Sequence, residues 1–195
     1  MPVLMRSICP HLTCDNNIGG QGEPVVRVDS RLKIVEGDIT KLMVDCIVNA
    51  ANRALLGGGG VDGAIHRSAG PELLAECRVL GGCLPGEAKI TRGYQLHAAW
   101  VIHTVGPIWN GGKFNEAATL KKCYISSLEI ASKYKLNKLA FPAISTGVYR
   151  FPPESAARIA IEAVHSFIEQ NFFPKQVIFC CFDAESVAHH QRAFG

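Results

Sequence analysis

Apolar and polar positions divide the chain into runs that alternate in character. Leu32-Lys-Ile-Val-Glu36 alternates at period two and stops at Gly37-Asp38. Cys46-Ile-Val48 is a short apolar run, and Trp100-Val-Ile-His-Thr-Val105 is rich in β-branched residues and ends at Gly106-Pro107. Leu139-Ala-Phe141 ends at Pro142, and Val177-Ile-Phe-Cys-Cys-Phe182 is almost wholly apolar, as expected of a strand covered on both faces. Other stretches repeat at helical spacing. From Asp62 to about Leu80, Ile65, Ala69, Leu73 and Cys77 share one face, with Pro71 as an interruption. Over 115–135, Leu120, Tyr124, Leu128 and Ala131 fall at i, i+4, i+8 and i+11. Over 153–170, Pro153 and Glu154 make a favourable first turn ahead of the stripe Ala157, Ile161, Val164 and Ile168. A last helix is expected from about Glu185.

Strands alternating with helices, some strands apolar on both faces, predict a three-layer α/β/α domain. Ligands of such folds bind in loops at the carboxyl ends of the strands. Three polar or glycine-rich segments occupy those ends: Gly37-Asp38, Asn49 to Gly63, and Ser145-Thr-Gly-Val-Tyr149. No internal repeat or low-complexity segment intervenes.

Composition narrows the picture. The chain has 195 residues, suited to one domain, and is 48% hydrophobic, enough for a core without disulfides or metal. A net charge of +3 with no dense basic run speaks against a nucleic-acid duplex platform. No apolar run approaches the ~20 residues of a membrane span, and the N-terminus lacks the apolar core of a signal peptide. The eight cysteines include several inside apolar runs, such as Cys46 and the Cys180-Cys181 pair, and no C-x-x-C occurs. Reduced thiols in the cytoplasm or another reducing intracellular compartment are expected. Residues 1–30 carry little periodicity and read as a flexible N-terminal extension to a domain over 31–195. Cys9, His11 and Cys14 match no standard metal spacing.

The candidate chemistry centres on Asn49-Ala-Ala-Asn52 and Gly57-Gly-Gly-Gly-Val-Asp-Gly63. A glycine run loses more backbone entropy on folding than any other sequence, so it belongs where backbone approaches another group closely. Followed by a helix, Gly57 to Gly60 offers backbone amides and a positive helix end to an anion. Ser145-Thr146-Gly147 offers a second set, and two such loops facing each other suit two linked phosphates. Gly58 to Gly63 formally satisfies G-x-G-x-x-G, but it comes late after its strand, and the acidic residues ~20 further on lie within a helix. There is no G-K-[ST], no G-x-S-x-G elbow and no H-E-x-x-H, which removes P-loop hydrolases, serine-triad hydrolases and zincins. Asn52 pairs an amide with the Asp62 carboxylate, a combination suited to ribose hydroxyls and a water. Asp62 is also placed to cap its helix. Asn49 is expected to brace the loop through backbone hydrogen bonds, and His66 and His103 are read as structural histidines.

These segments closely resemble a macrodomain of the MacroD type. The resemblance is carried by Gly37-Asp-Ile-Thr40, Asn49-Ala-Ala-Asn52, Leu56 to His66, Ala69-Gly-Pro71, His103-Thr-Val-Gly-Pro107, and Pro142 to Tyr149 followed by Phe151-Pro152. It implies a mixed, mostly parallel six-stranded sheet between helices. It also implies that Asp38 bonds the adenine amino group with Ile39 beside it, and that Phe182 packs on the adenine. Gly58, Gly59, Gly60 and Val61 on one side, and Ser145, Thr146, Gly147, Val148 and Tyr149 on the other, would enclose the diphosphate. Asn52 and Asp62 would be catalytic at the distal ribose, with Phe151 against it.

The implied activity is metal-independent hydrolysis, with no cofactor, at the anomeric carbon of that ribose. Partners would be ADP-ribose, proteins ADP-ribosylated on Asp or Glu, and O-acetyl-ADP-ribose. The proton of the attacking water would go to Asp62 or to the substrate's own diphosphate, and an isolated Asp, with a pKa of about 3.9, is a weak base. The competing class is a module that binds ADP-ribose without turnover. Removal of the phosphate from ADP-ribose 1″-phosphate is a third reading. Position 150 departs from the resemblance: Arg stands where a Gly is usual, so either the loop is set differently or Arg150 adds a cation.

Overall fold

The computed structural model describes residues 30–195. Residues 1–29, with Cys9, His11, Cys14 and nearly all of the expected extension, lie outside the described residues. Six strands form one sheet: β1 (Leu32–Glu36), β2 (Cys46–Ala50), β3 (Ala88–Arg92), β4 (Trp100–Thr104), β5 (Lys138–Phe141) and β6 (Gln176–Cys181). Their order is β1-β6-β5-β2-β4-β3, parallel throughout except for the antiparallel β3–β4 pair. The helices are α1 (Gly60–Ala69), α2 (Pro71–Leu80), α3 (Glu116–Lys133), α4 (Pro153–Gln170) and α5 (Ala184–Phe194). This is the mixed α/β/α architecture expected.

Two hydrophobic layers sandwich the sheet. On one face Leu120, Tyr124 and Leu128 of α3 and Ala160, Val164 and Ile168 of α4 pack on Val48, Ile102, Phe141 and Phe179. On the other, Ile65 and Ala69 of α1 and Leu73 and Cys77 of α2 pack on Ile47, Val101, Ala140 and Ile178. Each predicted helical stripe is buried. Fully burying such a Val, Leu or Ile contributes about 1.5–3 kcal/mol, so these stripes decide which way each helix faces. Strand alternation then matters for function. Asn49 and His103 follow Ile47 and Val101 by two residues, so they point to the α1–α2 side.

Three elements differ from expectation. The helical stretch expected from Asp62 to Leu80 starts earlier, at Gly60, and the interruption expected at Pro71 is a full break at Gly70 (φ 86°, ψ 179°), with Pro71 opening a second helix where its missing N–H costs nothing. β3 did not stand out among the apolar runs because only Thr91 of its five residues is fully buried; Lys89 and Arg92 give it the composition of a sheet edge. β2 extends to Ala50, which puts Asn49 inside the strand rather than in the loop.

Among the described residues no helix is long and apolar enough to cross a membrane. The six described cysteines are unpaired and buried.

Candidate functional site

The loops after β1, β2, β5 and β6 converge at one end of the sheet and enclose a cleft of about 740 Å³. It brings together Asp38, Ile39, Asn52, Gly58, Gly59, Gly60, Val61, Asp62, Ser145, Thr146, Gly147, Val148, Tyr149 and Phe182. Phe151 is the exception among the residues singled out. It is 1% exposed and packs on Trp109 with ring centroids 4.7 Å apart, beneath the loop rather than along the cleft.

The first wall is the glycine loop. Asn52 shapes it from below: its Nδ2 donates to the Gly57 carbonyl at 2.8 Å, and its Oδ1 accepts from Ala54 N at 3.0 Å. Gly57 and Gly60 have φ of 81° and 57°, a region costly to other residues. Gly63 is required for a different reason, since a Cβ there would collide with the Gly58 carbonyl oxygen. Gly59 precedes α1 without any side-chain cap, and the first-turn amides of a helix have no partner inside it. Asp62 is therefore not the N-cap; it is the third helical residue, and its carboxylate turns inward.

That carboxylate is only 4% exposed. Asn49 Nδ2 donates to Asp62 Oδ1 at 2.8 Å, and Asn52 Nδ2 lies 3.5 Å from Oδ2. His66 Nε2 sits 3.5 Å from Oδ1, yet it is buried without an aligned hydrogen bond. Burial raises the Asp62 pKa above the usual carboxylate value, while the Asn49 bond and His66 pull it back. The expectation for Asn49 needs correcting. Its amide braces a side chain, Asp62, and not the loop backbone, and it also meets His103 Nδ1 at 3.1 Å. His103 is fully buried, and burial first, then His66, lowers its pKa to about 3, so it is neutral.

The second wall runs from Ser145 to Tyr149. Arg150 N donates to Gly147 O at 2.9 Å, Phe151 N to Ser145 O at 3.0 Å and Trp109 N to Tyr149 O at 2.8 Å. These bonds close the turn with Ser145 and Arg150 at φ of 66° and 55°. The Arg at position 150 thus takes up the left-handed conformation a Gly would favour. Ser145 Oγ is buried with no partner, at a spot where a Cβ on Gly106 would collide with it. Sequence reasoning passes over Trp109 and Thr91, and it takes Gly106 only as a strand end and as part of the His103 to Pro107 segment; nothing in the spacing connects Trp109 to the Ser145 loop.

At the far end, Asp38 Oδ1 accepts from Thr40 N at 2.9 Å and Thr40 Oγ1 at 2.7 Å. The Thr40 hydroxyl bond leads in lowering its pKa, so Asp38 is a fixed acceptor. Phe182, 87% exposed, and Val148, 90% exposed, stand over the cleft as bare apolar surface. The cleft thus offers an acceptor with apolar neighbours at one end, amides and a hydroxyl in the middle, and a buried carboxylate beside an amide at the other.

Residues 48–160 match the Macro domain family model. A Macro domain-containing protein of Mesorhizobium japonicum is 58% identical over 84% of this chain and 93% of its own length. A protein of Cronobacter turicensis named O-acetyl-ADP-ribose deacetylase is 51% identical over 86% of this chain and 98% of its own. The crystal structure of a Trypanosoma brucei macrodomain in complex with ADP-ribose superposes with a TM-score of 0.82 at 41% identity, covering 89% of this chain and 73% of that one.

Proposed function

The chain belongs to the Macro domain family, and on that premise we propose that it binds ADP-ribose in the cleft and hydrolyses ADP-ribosyl esters. The substrates are proteins carrying mono-ADP-ribose on Asp or Glu, and O-acetyl-ADP-ribose. The observation that carries this reading is the buried Asp62 carboxylate beside Asn52, at the end of an amide-lined cleft. A module that only held ADP-ribose needs an adenine contact and a diphosphate cradle. It gains nothing from keeping a carboxylate 4% exposed.

Asp38 accepts from the adenine amino group, with Phe182 across the ring. The amides of Gly58 to Val61 and the Ser145 loop hold the diphosphate, where fixed dipoles need no reorganisation during reaction. The distal ribose then lies against Asn52 and Asp62. A water there attacks the anomeric carbon as its bond to the ester oxygen breaks; the carboxylate of the modified side chain, or acetate, departs. The water proton passes to Asp62 or to a diphosphate oxygen. The raised pKa of Asp62 makes it a better proton acceptor than an ordinary aspartate.

Incubation with a Glu-ADP-ribosylated protein, followed by chromatography, should release free ADP-ribose. Calorimetric binding of ADP-ribose without release would instead establish a binding module, and absence of binding would remove both readings.

A further inference from the structure

Behind Asp62, away from the cleft, lies a chain of buried polar groups that the proposed reaction does not use directly. Asn49 Nδ2 is 2.8 Å from Asp62 Oδ1 and 3.1 Å from His103 Nδ1. His103 Nε2 is 2.9 Å from Thr91 Oγ1, which in turn donates to Arg92 O at 3.2 Å. Cys77 Sγ lies further off, 3.7 Å from the same Nε2. None of Asn49, His103, Thr91 or Cys77 lines the cleft.

Every direction in this chain is determined. A carboxylate only accepts, so the Asn49 amide presents its nitrogen to Asp62. The second N–H of that nitrogen meets His103 Nδ1, which must hold the lone pair. The imidazole proton is therefore on Nε2 and goes to Thr91 Oγ1, whose own proton goes to the Arg92 carbonyl. The other tautomer would set N–H against N–H. One acceptor is sacrificed: Asn49 Oδ1 is buried without a partner. Turning the amide over would bring that oxygen against the carboxylate and remove both N–H bonds. Sheet pairing builds the arrangement in, since Asn49 and His103 are opposite one another in the β2–β4 register.

We propose that His103 and Thr91 are positioning residues: through the Asn49 amide they fix which way the Asp62 carboxylate points. His103 supplies the acceptor that holds the second N–H of Asn49, and Thr91 selects the tautomer that makes that acceptor available. The imidazole stays neutral, so the setting does not change as the solvent pH moves through the physiological range. The kinetic part of this proposal rests on the hydrolytic reading above; the orientation of Asp62 does not.

The test compares His103→Phe, which keeps the ring but has no acceptor, with His103→Asn, whose Oδ1 falls near the original Nδ1. For His103→Phe, kcat on the ADP-ribosyl ester should fall about 10-fold to 100-fold, the scale of a misplaced catalytic group. KM and the dissociation constant of ADP-ribose should stay within about twofold, because neither residue touches the cleft. His103→Asn should recover most of the loss. Thr91→Val should lower kcat in the same sense by a smaller factor. Independently of turnover, ¹⁵N spectra of the unsubstituted protein should show His103 as the Nε2–H tautomer. The ¹³C titration of the Asp62 carboxyl should shift in His103→Phe and not in His103→Asn. Equal losses in the Phe and Asn variants, unchanged kcat in both His103→Phe and Thr91→Val, or an Nδ1–H or imidazolium spectrum would each overturn the proposal. If the unsubstituted protein shows no turnover, the hydrolytic reading falls, and the tautomer and the Asp62 titration decide the positioning role alone. Should His103→Phe fail to fold, Thr91→Val and those spectra carry the same decision.

Discussion

Gly57 to Gly63 builds one wall of the cleft with five glycines, and Ser145 to Arg150 builds the opposite wall with one. The first loop gets its shape from missing side chains: Gly57 and Gly60 take left-handed φ, and Gly63 leaves room for the Gly58 carbonyl. It must then be propped from outside, by Asn52 on the Gly57 carbonyl and Asn49 on Asp62. The second loop holds two side-chain-bearing residues in the left-handed region and is closed by its own backbone bonds, with Trp109 clamped against Phe151 behind it. Two routes thus lead to the same result, a tight turn lining the cleft. Glycine makes the turn cheap but loose, whereas a clamped turn can keep hydroxyls at the cost of strain.

The sharpest way to separate the walls is through Asp62, which only the glycine side carries. Asp62→Asn keeps an acceptor for Asn49 and removes the carboxylate; turnover should fall about 10²–10⁴-fold, with ADP-ribose affinity little changed. The same variant should be more stable than the parent at neutral pH. Burial raises the Asp62 pKa, so the folded chain holds that proton to higher pH than the unfolded chain does. Its favourable contribution is complete below the unfolded value and is lost as pH rises through the folded one. Melting the two proteins from acidic to neutral pH should show the advantage of Asp62→Asn growing across that window; a gap independent of pH would exclude this origin.

A backbone test comes next. Gly63→Ala should cost about 1–3 kcal/mol or more, because its Cβ meets a carbonyl that cannot move without the loop, and ADP-ribose binding should weaken with it. Gly147→Ala adds a Cβ with nothing within 4 Å, and should stay within about 0.5 kcal/mol. Equal costs in the two would erase the distinction between a loop that needs glycine and one that does not. The smallest effect is expected at position 150. Arg150→Gly relieves about 1–2 kcal/mol of left-handed strain and adds about 0.5–1 kcal/mol of unfolded-chain entropy. The net gain of about 0.5–1 kcal/mol should raise Tm by about 1–4 °C without altering turnover. A loss instead would mean that the Arg150 side chain serves the cleft.

The same contrast explains what could be read from the sequence. The glycine wall was legible because a glycine run has few other uses and its two asparagines and aspartate lie within fourteen residues of one another. The helical stripes and most strands were legible because each buries a regular apolar face. β3 was not, since an edge strand covered on little of its surface leaves Lys89 and Arg92 where a core strand would have apolar residues. The inward role of Asn49 escaped because it depends on where β2 ends, and a boundary shift of two residues moves a side chain from loop to strand. The position of Phe151 escaped because it is set by Trp109, more than forty residues away, through a contact that no local pattern encodes.

The pairing of Asn49 with His103 across β2 and β4 makes the sheet itself a ruler for the carboxylate. Were β4 to slide by one residue, Ile102 or Thr104 would come opposite Asn49 and the imidazole would swing to the far layer. Damage at the β3–β4 margin should therefore register as a loss of rate before it registers as a loss of folded protein. Turnover would then act as a gauge of strand alignment read at residues outside the cleft.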